Sequence, residues 1–262
     1  MPLIVALLLT LLSAALSAHA QAPASAPAAN PSSILTACGH PMYPPLSWEQ
    51  DGELTGIAPH LVRKLLAEHG YTVNMQVFGN WERCQLAARQ GKVDLIVAAY
   101  KTRQREQNFL FSDTPIIADP VVLFTHFGNA SQSPWSLTDH TLGLLFGDSF
   151  GDKFDRAAAQ RLDVERVSSG KQNFQKLALG RIDYMPIGLT TGKLQAQKLG
   201  LTEQVFPLPD LLTLEYYHLA VPKGSRLAPL LPTLSARLQA LADDHYIRRI
   251  TFFFERHYLD AP

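Results

Sequence analysis

From Ile34 onward, short apolar runs alternate with amphipathic stretches along the chain. The short apolar runs predict buried strands, and stretches in which apolar residues recur every three or four positions predict helices. In IAPHLVRKLLAEHG, for example, Ile57, Leu61 and Leu65 fall on one helical face, and Gly70 ends the helix. Alternating strands and helices are typical of parallel sheets with crossover helices. We therefore predict an α/β fold.

This alternation occurs twice. The first half contains the strands ILTAC, TVNMQVF and VDLIVAAY, and the second contains TLGLLFG, DVERVSS and RIDYMPIG. The halves share the turns Gly91-Lys92-Val93-Asp94 and Gly180-Arg181-Ile182-Asp183. One explanation is a common helix-to-strand turn, with glycine ending the helix and aspartate opening the strand. Even so, the repetition favours two similar lobes.

Two long strand-like segments, DPVVLFTHF and LLTLEYYHLAV, flank the second half of the chain. If one strand carries the chain into a second lobe, the other must return it. This predicts a first lobe at 34–124 and 221–262, a second lobe at 127–219 and two hinge crossings. A cleft between hinged lobes suits closure on a ligand.

The N-terminal segment predicts export. Residues 1–20 form an apolar run that ends in Ala18-His19-Ala20, the small-residue pattern of a cleaved signal peptide, although no Lys or Arg follows Met1 closely. The run is too short for a spanning helix. Residues 21–33, rich in Ala, Pro and Ser, predict a disordered linker. We expect a periplasmic protein.

Charge and cysteine content narrow the function classes. The chain has 23 Lys and Arg residues and 23 Asp and Glu residues, a balance that argues against a nucleic-acid partner. Its two cysteines, Cys38 and Cys84, predict a disulfide in an oxidising compartment, with a catalytic thiol as the alternative. We predict no cofactor or metal site, and we expect a monomer.

Four motifs in order along the chain resemble the bacterial extracellular solute-binding proteins of family 3, the polar-amino-acid receptors of ABC importers. They are Pro44-Pro45-Leu46-Ser47-Trp48 with Gly52-Glu53-Leu54-Thr55-Gly56, Gly91-Lys92-Val93-Asp94, Thr102 to Arg105 with Phe111-Ser112-Asp113-Thr114-Pro115, and Gly180-Arg181-Ile182-Asp183. The resemblance implies a type II periplasmic-binding-protein fold, in which each lobe is a mainly parallel sheet flanked by helices. It also implies a small carboxylate-bearing ligand, with an amino acid as the first candidate, and an ABC permease as partner.

The resemblance assigns the ligand carboxylate to Arg105, whose planar fork matches a carboxylate. We expect this side chain to be exposed in the cleft; the alternative is a solvated arginine in a charged turn. Thr102 matches a hydroxyl that helps to hold the same carboxylate, or it caps the following helix. Tyr43 matches an aromatic residue that packs on the solute. Tyr100 replaces a small hydroxyl residue, so it either narrows the pocket or adds a phenol donor.

Other candidates keep two explanations each. Trp81 contacts the solute or belongs to the core. Ser149, in the loop Gly147-Asp148-Ser149-Phe150-Gly151, meets an anion at a helix N-terminus or caps that helix. The resemblance places an acid for the ligand ammonium where this chain has Gly188. Asp183, Asp148 and Glu215 are the candidates to replace that acid, and the sequence does not choose between them.

Two other functions remain open beside transport. The fold also occurs in periplasmic dehydratases, for which His40 and Glu49 would be the acid or base candidates. Loop His and Glu residues are commonly solvated, so we expect a receptor and not an enzyme. The other alternative is a receptor that signals through a sensor partner.

Overall fold

The computed structural model describes residues 33–127 and 140–261. The predicted signal peptide at 1–20 and the predicted linker, apart from Ser33, lie outside the described residues. No helix in the described part of the chain is long and apolar enough to cross a membrane.

The described residues form twelve strands, eight α-helices and a short 3₁₀ helix at Ala228–Leu230. The strands are β1 (Ile34–Cys38), β2 (Met42–Tyr43), β3 (Ser47–Gln50), β4 (Glu53–Thr55), β5 (Thr72–Gln76), β6 (Leu95–Tyr100), β7 (Phe109–Phe111), β8 (Ile117–His126), β9 (Thr141–Leu145), β10 (Asp163–Val167), β11 (Met185–Gly188) and β12 (Val205–Pro222). The helices are α1 (Ile57–Ala67), α2 (Trp81–Arg89), α3 (Arg103–Glu106), α4 (Asp152–Arg161), α5 (Gly170–Ala178), α6 (Leu189–Lys198), α7 (Leu231–Asp243) and α8 (Tyr246–Asp260).

One seven-stranded sheet runs through the molecule in the order β11-β8-β12-β6-β1-β5, with β7 also paired to β12. On one side, β1 is parallel to both β5 and β6, as crossover helices require. In the middle, β8 and β12 pair antiparallel with each other over most of their length. These two long strands are the predicted hinge crossings.

The second lobe continues from β11. Strands β9 and β10 are parallel, and a parallel bridge between Leu142 and Tyr184 connects β9 to the chain entering β11. We use "first lobe" for β1–β7, α1–α3, α7 and α8, and "second lobe" for β9–β11 and α4–α6. The α/β fold with two crossings is as predicted, whereas the predicted residue bounds of the lobes stay a prediction.

The repeated turn has the same structural role in both lobes. The Asp94 carboxylate accepts a hydrogen bond from the Thr36 N–H at 2.8 Å, and the Asp183 carboxylate accepts one from the Thr141 N–H at 2.7 Å. The glycine three residues before each aspartate has a φ of 69° or 63°, which ends the preceding helix. Each aspartate therefore ties its turn to the backbone of a parallel strand, at the middle of β1 and at the start of β9.

The disulfide joins Cys38, at the end of β1, to Cys84 in α2, with the two Cα atoms 5.8 Å apart. Both residues are buried in an apolar cluster that includes Trp81 and Ile96. The pairing is as predicted. The bond holds the start of α2 against the carboxyl end of the first-lobe sheet, where the cleft begins.

Candidate ligand-binding site

Arg105 lies in the short helix α3, directly after the buried strand β6. The Thr102 hydroxyl oxygen accepts a hydrogen bond from the Arg105 N–H at 3.3 Å and so caps this helix. The expectation that Arg105 is exposed is wrong, because its side chain is folded into the cleft and the residue is only 8% exposed.

The guanidinium group of Arg105 donates three hydrogen bonds, all to uncharged acceptors. Its Nε donates to Gln85 Oε1 at 3.2 Å, Nη1 to the Tyr100 carbonyl oxygen at 3.1 Å and Nη2 to the Gly147 carbonyl oxygen at 3.2 Å. The Trp81 ring lies 5.4 Å from the guanidinium carbon, at cation–π distance. Since Gly147 belongs to the second lobe, Arg105 connects the two lobes.

A polar cavity of about 470 Å³ opens beside Arg105. Second-lobe residues Asp148, Ser149 and Asp155 line it together with first-lobe residues that include Gln85. Burial lowers the pKa of Arg105, and the charges of Asp148 and Asp155 oppose that change. An arginine nevertheless remains protonated in proteins, so the cavity contains a permanent positive charge.

Further hydrogen bonds join the lobes around this cavity. His40 Nε2 lies 3.3 Å from Asp148 Oδ1, and His40 Nδ1 accepts a hydrogen bond from the Met42 N–H. The proton of a neutral His40 therefore lies on Nε2 and is donated to Asp148. Gln195 Nε2 donates to the Met42 carbonyl oxygen at 2.9 Å. These contacts hold the lobes together in a closed arrangement.

A second part of the cleft is a tyrosine cage, formed by Tyr43, Tyr100 and Tyr217 around Asp119. The Tyr43 hydroxyl donates to Asp119 Oδ2 at 2.9 Å, and the Tyr100 hydroxyl donates to the same oxygen. The Tyr217 ring packs against the rings of Tyr100 and Tyr43, at centroid distances of 4.3 and 5.6 Å. Tyr43 additionally accepts a hydrogen bond from the N–H of Gly188 in the second lobe at 2.8 Å. The cage therefore connects hinge strand β8 to both lobes.

Burial in the tyrosine cage changes the pKa values of the residues that form it. Burial raises the pKa of Asp119 to about 6, although the tyrosine hydroxyls oppose the shift by hydrogen-bonding the charged form. Burial also raises the pKa of Tyr43, Tyr100 and Tyr217 well above the usual value. The tyrosines are therefore neutral donors at physiological pH, and Asp119 is ionised above pH 6.

The family comparison gives the identity of the fold. The model for bacterial extracellular solute-binding proteins, family 3, matches residues 35–251. The chain belongs to this family. Members are binding receptors, so the chain is a solute-binding protein and not an enzyme. No relative among curated proteins was detected by sequence.

Solved structures have the same fold at low sequence identity. An amino acid ABC transporter substrate-binding protein from Streptococcus pneumoniae, bound to L-arginine, aligns with a TM-score of 0.75 and 17% identity, covering 87% of this chain and 97% of its own. An ancestral arginine-binding protein bound to arginine gives 0.73 and 20%, covering 85% and 98%. A histidine kinase sensor domain similar to periplasmic binding proteins gives 0.72 and 20%, covering 84% and 95%.

Of the remaining residues predicted to bind the solute, two lie beside the cleft of this solute-binding protein and one lies away from it. The Ser149 hydroxyl donates to the Asp155 side chain at 2.5 Å and lines the polar cavity, but it does not cap α4, whose N-cap is Gly151 without a side-chain hydrogen bond. Trp81 is both a core residue and the neighbour of Arg105. Asp183 is not brought to the cleft: it fixes Thr141 at the opposite end of β11 from Gly188.

The two other acids considered for the ligand ammonium lie on the Arg105 side of the cleft. Asp148 contacts His40, and Glu215 approaches Gly151 at the start of α4. Asp119, which the sequence interpretation missed, is the acid that faces Gly188. Its signal in the sequence was a single carboxylate at the start of an otherwise apolar hinge strand, just before Pro120.

Proposed function

We propose that this solute-binding protein is a periplasmic receptor that closes on a small carboxylate-bearing solute, with an amino acid as the first candidate, and delivers it to an ABC permease. The observation that carries the proposal is the environment of Arg105. This buried cation connects the lobes and borders a polar cavity of about 470 Å³.

Arg105 has no ionic partner in the described chain. Within residues 33–127 and 140–261, no carboxylate oxygen lies within the 4.0 Å salt-bridge distance of its guanidinium. A buried cation without a directly paired carboxylate is unfavourable, because uncharged acceptors and the more distant Asp148 and Asp155 replace only part of its hydration. A solute carboxylate supplies the missing anion, and its two oxygens match the guanidinium fork. This supports a carboxylate as the group bound at Arg105.

A thermal-shift screen of amino acids, dicarboxylates and 2-oxo acids tests the proposal, since a ligand that binds only the folded state raises its melting temperature. Calorimetry on the best compound then compares Arg105→Lys with Arg103→Ala. Arg103 lies on the same helix, but its side chain is 85% exposed. We expect Arg105→Lys to lose at least tenfold in affinity, because lysine keeps the charge without the fork. A variant that binds as tightly as the wild type would contradict the proposal.

A receptor that signals to a sensor partner is the second candidate. It is supported by contacts that the lobes make directly with each other, such as His40 with Asp148 and Tyr43 with Gly188. The likeness to a histidine kinase sensor domain concerns the fold alone. Small-angle scattering distinguishes the two functions: a transport receptor compacts when the solute is added, whereas lobes that stay closed without solute favour signalling.

A further inference from the structure

Two buried charges of opposite sign flank Tyr100. The Tyr100 carbonyl oxygen accepts a hydrogen bond from Arg105, and its hydroxyl donates to Asp119. We propose that Asp119, on hinge strand β8, binds the cationic group of the solute in place of an acid at position 188. This inference rests on the proposed function, because it assumes that the solute carboxylate binds at Arg105.

The space around Gly188 supports this assignment. An ideal Cβ atom at position 188 would lie 2.1 Å from Asp119 Oδ1 and 2.4 Å from Oδ2. The backbone does not require glycine there, since φ is −56° and ψ is 134°, which any residue adopts. Position 188 is also the N-cap of α6, where aspartate is favoured. The Asp119 carboxylate therefore occupies the space that an acidic side chain at 188 would need.

Asp119 also lacks an ionic partner. Within the two described segments, no Lys, Arg or His nitrogen lies within 4.0 Å of its carboxylate. Its hydrogen bonds come from neutral tyrosine hydroxyls. Beside it is a cavity of about 50 Å³ that Tyr43, Tyr217 and Thr191 also line. In the closed arrangement this cavity shares no lining residue with the cavity beside Arg105, so a solute that reaches both charges enters while the lobes are open.

The position of Asp119 implies that the solute charges are bound by one part of the protein and that lobe closure depends on another. Tyr100 and Tyr217 are paired on neighbouring strands β6 and β12, and Asp119 lies on β8 beside β12. These residues belong to the continuous sheet, whereas the second lobe offers the uncharged backbone groups Gly188 N–H and Gly147 C=O. Both solute charges would thus be recognised by the first lobe and hinge, and closure would add uncharged hydrogen bonds.

The ionisation of Asp119 adds a pH dependence. Its neighbours are Tyr43 from β2, Tyr100 from β6 and Tyr217 from β12, and Glu215 is its partner across the β8–β12 pair. Because burial raises the pKa of Asp119 to about 6, the carboxylate loses its charge below that pH. Affinity for a cationic solute is therefore expected to fall as the pH is lowered from 7 to 5.

The test compares the wild type with Asp119→Asn, using L-leucine, L-glutamate and L-phenylalanine, each beside its 2-oxo acid, and L-lysine beside L-norleucine. The matched control is Asp210→Asn, on an exposed position of β12. We expect Asp119→Asn to weaken amino-acid binding by about 30-fold or more while changing 2-oxo-acid binding by less than about threefold. The lysine pair shows whether the bound cation is the α-ammonium or a side-chain amine.

Wild-type protein that binds 2-oxo acids as tightly as amino acids would overturn the role of Asp119 and leave the proposed function intact. A wild type that binds no carboxylate in the panel would contradict the proposed function itself. If Asp119→Asn does not fold, the double variant Asp119→Ala, Gly188→Asp carries the test. It moves the acid to the second lobe, so a preference for amino acids supports the inference and a preference for 2-oxo acids contradicts it.

Discussion

Replacing Tyr43 by phenylalanine removes one oxygen atom that connects both lobes to the hinge. The Tyr43 hydroxyl donates to Asp119 at 2.9 Å and accepts from the Gly188 N–H at 2.8 Å. The ring itself, packed 5.6 Å from Tyr217, is retained. The substitution therefore tests the hydroxyl separately from the packing.

The expected loss follows from these two hydrogen bonds. A hydrogen bond to a charged acceptor contributes about 1.5–3 kcal/mol, and a buried donor without a partner costs about 1–3 kcal/mol. Asp119 keeps its hydrogen bond from Tyr100, which offsets part of the loss. We expect Tyr43→Phe to lower the free energy of unfolding by about 2–4 kcal/mol at pH 7, and to favour opening because Gly188 is released.

Urea unfolding followed by circular dichroism measures this loss, and small-angle scattering measures opening as an increase in the radius of gyration. Tyr216→Phe is the matched control, since Tyr216 is on β12 and 44% exposed. Its effect should stay within about 0.5 kcal/mol. If Tyr43→Phe were as stable as this control, the hydroxyl would not hold Asp119 and Gly188 together.

Two further predictions concern stability. Burial raises the pKa of Asp119 to about 6 in the folded protein, so folding favours its neutral form. Relative to Asp119→Asn, the free energy of unfolding of the wild type should therefore fall by about 3 kcal/mol as the pH rises from 4 to 7 and stay constant above that. Unfolding experiments at each pH measure this difference between the two proteins, and a difference that does not change with pH would contradict the burial of the charge. The disulfide between Cys38 and Cys84, 46 residues apart in sequence, should contribute about 2–4 kcal/mol to the free energy of unfolding. Alkylation without reductant, followed by mass measurement, should label neither cysteine, and two labelled thiols would refute the bond.

Regular periodicity made most of the fold predictable from the sequence. Strands β6 and β9 are continuous apolar runs, and α1 has its apolar residues on one face, so local pattern and tertiary burial agree. Helix α6 was missed because its apolar face is weak and it follows β11 without a loop. The small sheet β2–β4 has no comparable signal in the sequence, because its three strands are only two to four residues long.

The candidate site was predictable from the sequence only for residues that lie next to a recognisable local element. Tyr100 ends a recognisable buried strand and Arg105 follows it, so their neighbourhood could be inferred. The partnership of Asp119 with Gly188 could not, because it depends on the antiparallel pairing of β8 with β11 and on the space that a missing Cβ leaves. Long-range pairing of this kind has no local periodicity. The same holds for Gly147, whose carbonyl oxygen meets Arg105 only when the lobes are closed.

The most direct test of the account is calorimetry with an amino acid and its carboxamide, which differ only in the group assigned to Arg105. L-Leucine and L-leucinamide form such a pair, with any amino acid that binds more tightly replacing leucine. We predict that the carboxylate binds at least about 30-fold more tightly than the amide to the wild type, because the amide leaves the buried guanidinium without an anion. Equal affinity for the two compounds would contradict the claim that the protein closes on a carboxylate held by Arg105.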